Sequence, residues 1–370
     1  MAASREELAA LREAFERALG PSEPGRAAVV DARWREHWPA LAEIGAPLFC
    51  VPEEQGGFGL DAAAALVAAR AFGAVAHRSP FPAIAASAYA ISRWLAPEAR
   101  APIIEALATG EHVPAMGLLD ASCGISRERR GRVRLAGRAP LVLGASDADS
   151  FLLLVPGTSE LFFVDAGDEV ALGAEDAFDV TRSIAEIELV GARAVSLDCG
   201  VGGALATERL FGLLLAGDML GGLTTMLERT RSYVLDREAF GRPLAGFQAV
   251  QHRLVDHAIS ARGLDLLAED AARRMTADEH TAHREALLVE SSVAAAAVHV
   301  LHDLLQLTGA IAFTWEYGLH FYERRAHLSA RLLGNPRRAH RALAVHEGWV
   351  RSSDTPAGGE PEPVSDVAGR

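Results

Sequence analysis

With 370 residues, half of them hydrophobic and 23% charged, the chain has a soluble globular composition and enough length for two or three domains with large cores. Its 49 acidic and 36 basic residues leave a net charge of -13, which removes the broad basic footprint of a nucleic-acid-binding protein. Three well-separated cysteines, Cys50, Cys123 and Cys199, exclude a disulfide framework or zinc ribbon and fit a reducing compartment.

Residues 1–110 read as an N-terminal helical domain. Leu8, Leu11, Phe15 and Leu19 keep helical spacing, and further helical patterns cover 34–44, 62–72 and 84–107, the last broken at Pro97 and Pro102. The charged N-terminus has no apolar core of signal-peptide type, and no run approaches membrane-spanning length, so a cytoplasmic protein without a membrane partner is expected. Between the second and third helices, Pro52 to Gly59 is rich in glycine but lacks the preceding strand and the lysine of a P-loop, and reads as a tight loop.

Residues 111–199 change to short β-rich runs at 132–135, 151–155, 161–164 and 184–190, punctuated by Gly, Asp and Pro, and predict a small antiparallel barrel or sandwich. Residues 200–350 return to long helical patterns at 204–235, 246–275, 281–308 and 316–333, a four-helix bundle. The tail, 351–370, is rich in Pro, Gly, Ser and acid and is expected to be disordered. Arg324, Arg325 and Arg331, and then Arg337, Arg338 and Arg341, are either local anion sites or solvated helix faces. The pairs His280/His283 and His299/His302 have helix-face spacing but lack further ligands, so no metal is expected. No nucleophile elbow supports a Ser-His-Asp reading.

The most informative stretch is 231–262. An apolar helix with Arg229 and Arg231 in its last turn meets Gly241 and Pro243, which forbid a continuous helix, and a second helix begins near Phe247 with Gln248, Gln251 and His252 in its first turn. The sequence Arg237-Glu238-Ala239-Phe240-Gly241-Arg242-Pro243-Leu244, with Phe247-Gln248 and Gln251-His252, resembles the signature of the acyl-CoA dehydrogenase family of flavoenzymes. Gln306 to Glu316 with Arg324-Arg325-Ala326 is similar to that family's C-terminal Gln-x-x-Gly-Gly-x-Gly-Phe-Thr segment, and Trp38 to Gly59 to its N-terminal run. The three matches stand in family order across nearly the whole chain.

The resemblance implies FAD and an acyl-CoA substrate. Arg237 would reach across a subunit interface to the neighbour's flavin pyrophosphate, a task suited to a permanently charged planar fork. Phe240 and Gly241 would lie beside the flavin, Gln248 at its polar edge, and Gln306 and Gly309 at the adenine end. Ala310 and Ala312 replace two glycines of that segment. The family's carboxylate base is missing in one place, where Leu332-Leu333-Gly334-Asn335 stands, and in a second, where Phe211 stands with Glu208 one turn earlier. Asp218, the lone ionisable residue between Arg209 and Glu228, is the remaining candidate base, its pKa expected to be raised; the alternative is pairing with an arginine or a backbone donor. Leu118 to Gly124 and Ala139 to Leu143 lack the hydroxyls that cradle a chain's own flavin in the family.

This asymmetry is similar to that of partner-dependent subunits of bacterial two-plus-two heterotetrameric acyl-CoA dehydrogenases of the sterol side-chain type. The expected function is therefore α,β-desaturation of an acyl-CoA thioester, with FAD shared between unlike chains and an electron-transfer partner. The alternatives are a self-sufficient homo-oligomer with Asp218 as base, and a non-catalytic scaffold subunit.

Overall fold

In the computed structural model, which describes residues 3–20, 34–129, 131–155, 158, 160–175, 178–275, 278–332 and 336–351, the first helix, α1 (Arg5–Leu19), starts at a capping box. Ser4 Oγ accepts from the Glu7 amide and the Glu7 carboxylate accepts from the Ser4 amide. Then come α2 (Trp34–Glu43), α3 (Ala62–Ala74), α4 (Phe81–Trp94) and α5 (Pro97–Thr109). Asp61 caps α3 through the Ala63 amide. The two prolines expected to break the fourth pattern act differently. Pro97 sits in the first turn of α5, where no amide is needed, and Pro102 lies inside the helix, where it offers no amide to the carbonyl of exposed Glu98.

The glycine-rich loop is closed on itself. The amides of Phe58 and Gly59 donate to the carbonyls of Leu48 and Val51, and a Cβ at Gly57 would stand 2.2 Å from the Val51 oxygen.

Seven strands follow: β1 (Pro114–Leu118), β2 (Gly124–Arg127), β3 (Arg132–Leu143), β4 (Ser150–Leu154), β5 (Leu161–Asp165), β6 (Val170–Glu175) and β7 (Ile184–Ser196). Their order is β2-β3-β1-β4-β5-β7-β6, and an additional β3–β7 pairing closes the sheet into a barrel. All pairs are antiparallel except β1–β4, so the expected antiparallel pattern holds but for one parallel neighbour. The barrel interior is filled by Leu135, Phe151, Leu153, Phe162, Val164 and Ile187.

The bundle consists of α6 (Gly200–Asp236), α7 (Gln248–Arg274), α8 (Glu279–Thr308) and α9 (Leu319–Leu332), with α10 (Pro336–His346) added beyond the four helices expected from periodicity. Helix α6 is its axis, and α3 of the N-terminal domain crosses it at backbone contact. A Cβ at Gly73 would meet the Asp218 carbonyl oxygen at 2.0 Å, and one at Gly221 the Arg70 carbonyl oxygen at 2.0 Å. Helix α6 and the stretch 279–313 are long and apolar enough to cross a bilayer, contrary to the expectation that no run approaches that length. In the fold, 78% and 50% of their most apolar windows are buried, as core helices. The tail beyond residue 351 lies outside the described residues.

Candidate functional site

Three helix ends converge at one end of the bundle: the C-terminus of α6, the N-terminus of α7 and the C-terminus of α8. Arg253 of α7 pairs with Asp303 of α8, which His257 also contacts at 2.5 Å. Arg229 of α6 donates to the Glu316 carbonyl at 2.7 Å and stacks over the Tyr317 ring at 4.9 Å. These ties bring the 237–248 and 306–316 segments together, although nearly sixty residues separate them in sequence.

Between α6 and α7 the chain makes a miniature hairpin. Glu238–Ala239 pairs with Arg242–Pro243, and Phe240-Gly241 form its two-residue turn with φ of 54° and 77°. Such a turn requires positive φ at both central residues, which accounts for Gly241 and leaves Phe240 in a conformation that costs a non-glycine residue about 1–3 kcal/mol. Phe240 is nonetheless 96% exposed. Arg242 stacks on Phe247 at 3.9 Å, and Gln251 closes the turn by donating to the Ala245 carbonyl.

Arg237, Gln248 and Gln306 are exposed, and none has a side-chain hydrogen bond or ion pair among the described residues. A Cβ at Gly241 or at Gly309 (φ 68°) would meet nothing within 4 Å. Phe313 and Trp315 add further exposed aromatic surface. This end of the bundle thus offers a guanidinium, two amides and several aromatic faces to something outside the chain. That donor set fits the anionic and aromatic parts of a flavin dinucleotide.

Asp218 is paired rather than free to act as a base. It is 1% exposed, and both its oxygens are taken: Arg325 donates at 2.7 and 2.9 Å, and Arg182 at 2.5 Å. Burial alone would raise its pKa, but the two guanidiniums outweigh burial and hold it below the usual carboxylate range, the reverse of the expectation. Arg325 also donates to the carbonyls of His77 and Thr181, and Arg182 to Ser329 Oγ. The triad therefore fastens α6, α9, the strand-β7 approach and the loop after α3. Of the two arginine clusters, Arg325 belongs to this buried set, Arg324 lies 6.0 Å over Phe178, and Arg338 pairs with Glu208 at 3.3 Å. The second expected base position, Phe211, is buried in the helical core. At the first, Leu332 ends α9 and 333–335 lie outside the described residues.

On the chain's own β side, Leu141 of β3 faces a cavity of about 330 Å³ together with Phe178, His327, Leu328 and Arg331. No hydroxyl lines it among the described residues. In the β1–β2 loop, Asp120 turns back onto the Ser122 amide and hydroxyl.

Two groups, one buried and one part-buried, escaped the sequence reading. His77 is held neutral, its pKa pushed down to about 3 by burial and by Arg325. Glu290, a part-buried acid of α8 between Glu285 and Asp303, is pushed up to about 7 by burial and by Glu208, against a small cavity lined by Gly212, Leu215, Met219 and Ser329. The histidine pairs are otherwise engaged: His302 meets Glu323 at 3.0 Å, His299 lies edge-on to His257, and His280 and His283 lie against His346.

Comparison with known proteins follows the same division of the chain. The N-terminal-domain model of the acyl-CoA dehydrogenases matches residues 5–111, and their C-terminal-domain model matches residues 201–341. The acyl-CoA dehydrogenase IpdE2 of Mycobacterium tuberculosis is 28% identical over 326 residues, covering 88% of this chain and 91% of that protein. Among solved structures, a variant of the Tcur3481–Tcur3483 steroid ACAD superposes with a TM-score of 0.85 at 22% identity, over 93% of this chain and 98% of that one. A chain of the ChsE4–ChsE5 complex from Mycobacterium tuberculosis gives 0.81 at 24% identity, over 96% and 99%. At these identities the structural likeness establishes the fold.

Proposed function

The chain belongs to the acyl-CoA dehydrogenase family, and from that premise we propose that it is a partner-dependent subunit of an FAD-linked enzyme that desaturates an acyl-CoA thioester. The observation that carries this reading is the bundle end: Arg237, Gln248 and Gln306 project outward with no side-chain hydrogen bond or ion pair among the described residues, and Phe240 beside them is 96% exposed, while Asp218 is locked by two arginines.

In this reading the exposed end completes a flavin site whose remainder belongs to another subunit. Arg237 binds the pyrophosphate through its fork, Phe240 covers the ring, and Gln248 and Gln306 hydrogen-bond the polar edges. Gly241 and Gly309 leave the backbone open to close approach. The bound flavin supplies hydride acceptance from the substrate's β-carbon. This chain's own Asp218 being paired, the base that takes the α-proton would come from the partner, and an electron-transfer protein would take the electrons from the assembly. Relatives support the unlike-chain arrangement by name: ChsE4–ChsE5 is a complex of two chains, and the Tcur3481–Tcur3483 enzyme is a steroid ACAD. A steroid-bearing thioester is accordingly the proposed substrate class.

Arg237→Ala tests the reading in the purified assembly. Losing a bidentate charged contact of about 2–3 kcal/mol should weaken FAD retention about 30- to 150-fold, read by flavin absorbance after dialysis, with the mass of the assembly unchanged. Full flavin retention would make the chain a scaffold.

A further inference from the structure

The N-terminal and C-terminal helical domains do not close completely on one another. Between α1, α3, α6 and α7 lies a cavity of about 460 Å³, adjoined by a second of about 370 Å³, and Arg12, Val67 and Arg70 line both. None of the lining residues belongs to the bundle-end segments described above.

The two chambers differ in chemistry. The larger is walled by Leu19, Val67, Ala71, Val75 and Leu220, with Thr224 and Thr225 to one side. The smaller gathers Arg5, Arg12, Arg262 and Arg273 against a single acid, Glu269. Its one acid is already committed, since Arg70 at the junction pairs with Glu269 at 3.2 Å and with Asp265 at 2.8 Å. Arg5 and Arg12, by contrast, have no ion-pair partner among the described residues. The Nε of Arg70 is buried without a hydrogen-bond partner, a donor left over where the chambers meet. Glu16 lies on the larger chamber and disfavours negative charge there, so a charged group is directed toward the arginine end.

We propose that this double cavity binds a small amphipathic anion, with its acidic head group on Arg5, Arg12 and the Arg70 Nε and its apolar body against Leu19, Val67, Ala71 and Leu220. The larger chamber falls in the range of about 300–1,000 Å³ usual for small-molecule sites, which are apolar pockets with few, placed polar groups. The head group is a carboxylate or a phosphate, both of which suit a guanidinium fork.

The test is calorimetric titration of the full chain, in its purified assembly, with decanoate, decyl phosphate and decanol. Both anions should saturate at about one per chain and bind at least about tenfold tighter than decanol, and whichever is tighter identifies the head group. Ala71→Trp, at a partly exposed position, fills the larger chamber and should abolish binding. Arg12→Glu, on the exposed face of α1, should weaken the anions at least about tenfold and leave decanol unchanged. Should Ala71→Trp fail to fold, as judged by circular dichroism, Arg12→Glu carries the test alone. Absence of saturable binding, equal affinity for decanol and the anions, or undiminished anion affinity in Arg12→Glu would each overturn the proposal.

Discussion

Asp218 can take up a proton only by surrendering its bonds to two guanidiniums, for which buried Asp179 is a further but unbonded anion nearby. Removing its charge leaves Arg182 and Arg325 buried against each other, and breaking a buried ionic set in this way costs about 3–5 kcal/mol. Asp218→Asn should therefore lower the urea midpoint by that equivalent, while turnover per folded, flavin-loaded assembly keeps its pH profile. Loss of turnover, or of the acidic limb of that profile, would restore Asp218 as the base. His77 makes the complementary argument. In the fold its pKa is about 3, with burial, Arg325 and His37 lowering it and Asp218 opposing, against 6.5 in the unfolded chain. Between those values the unfolded state binds the proton that the folded state refuses, so stability is complete above about pH 6.5 and falls with acidification at about 1.4 kcal/mol per pH unit. Asp218, with its lowered pKa, loses its contribution only below its ordinary carboxylate value, at the acid end of that window. His77→Gln should therefore flatten the dependence of unfolding free energy on pH between about 4 and 6 by nearly one proton, measured by denaturant titration at each pH. An unchanged slope would mean that His77 already titrates normally in the fold.

At the scale of elements, the crossing of α3 over α6 depends on absent side chains. Alanine in place of Gly221 improves helix propensity by about 1 kcal/mol, yet its methyl would stand 2.0 Å from the Arg70 carbonyl oxygen, which belongs to the backbone of α3 and cannot swing aside. The helices must separate, and packing along the whole crossing suffers. Gly221→Ala should therefore destabilise by about 2–4 kcal/mol in chemical denaturation; a stabilised variant would show the crossing to be loose. The same crossing marks where sequence stops being legible. Helix α6 announces itself by its apolar period, and so do α1, α3, α7 and α8, because each repeats one pattern over several turns. Strand β6 does not: Leu172 is half exposed and the strand pairs only at the sheet's edge, so no alternation reports it. The Asp218 triad was legible only as a lone acid in an apolar run. Its partners lie 36 and 107 residues away, a separation at which local periodicity carries no information. The corner at 237–248 was readable because its turn geometry and its chemistry occupy one contiguous stretch, with Gly241 fixing the turn that lifts Phe240 outward.

For the molecule as a whole, the decisive feature is the uneven distribution of unused groups. The bundle end exposes Phe240, Phe313, Trp315 and Leu235 around Arg237. Leaving several aromatic rings in water around an unpaired guanidinium is unfavourable for an isolated chain, and holding Phe240 at positive φ adds strain. Both costs are recovered if another subunit covers the patch with a flavin between. The chain's own β side is built the other way, with an apolar cavity bearing His327 and Arg331 and no lining hydroxyl among the described residues. A site assembled from two copies of this chain would join a complete outward half to a cradle without its hydroxyls, whereas a site assembled with an unlike subunit need not. The two arrangements separate by mass and flavin content. Purified alone, the chain should carry well under one FAD per chain, and with its co-expressed partner about one FAD per pair, by absorbance and light scattering on the same column. One FAD per chain in a homo-oligomer would mean that the Leu141 cavity holds the ring without hydroxyls, and the candidate base would then be Glu290, a part-buried carboxyl already poised near neutral pH.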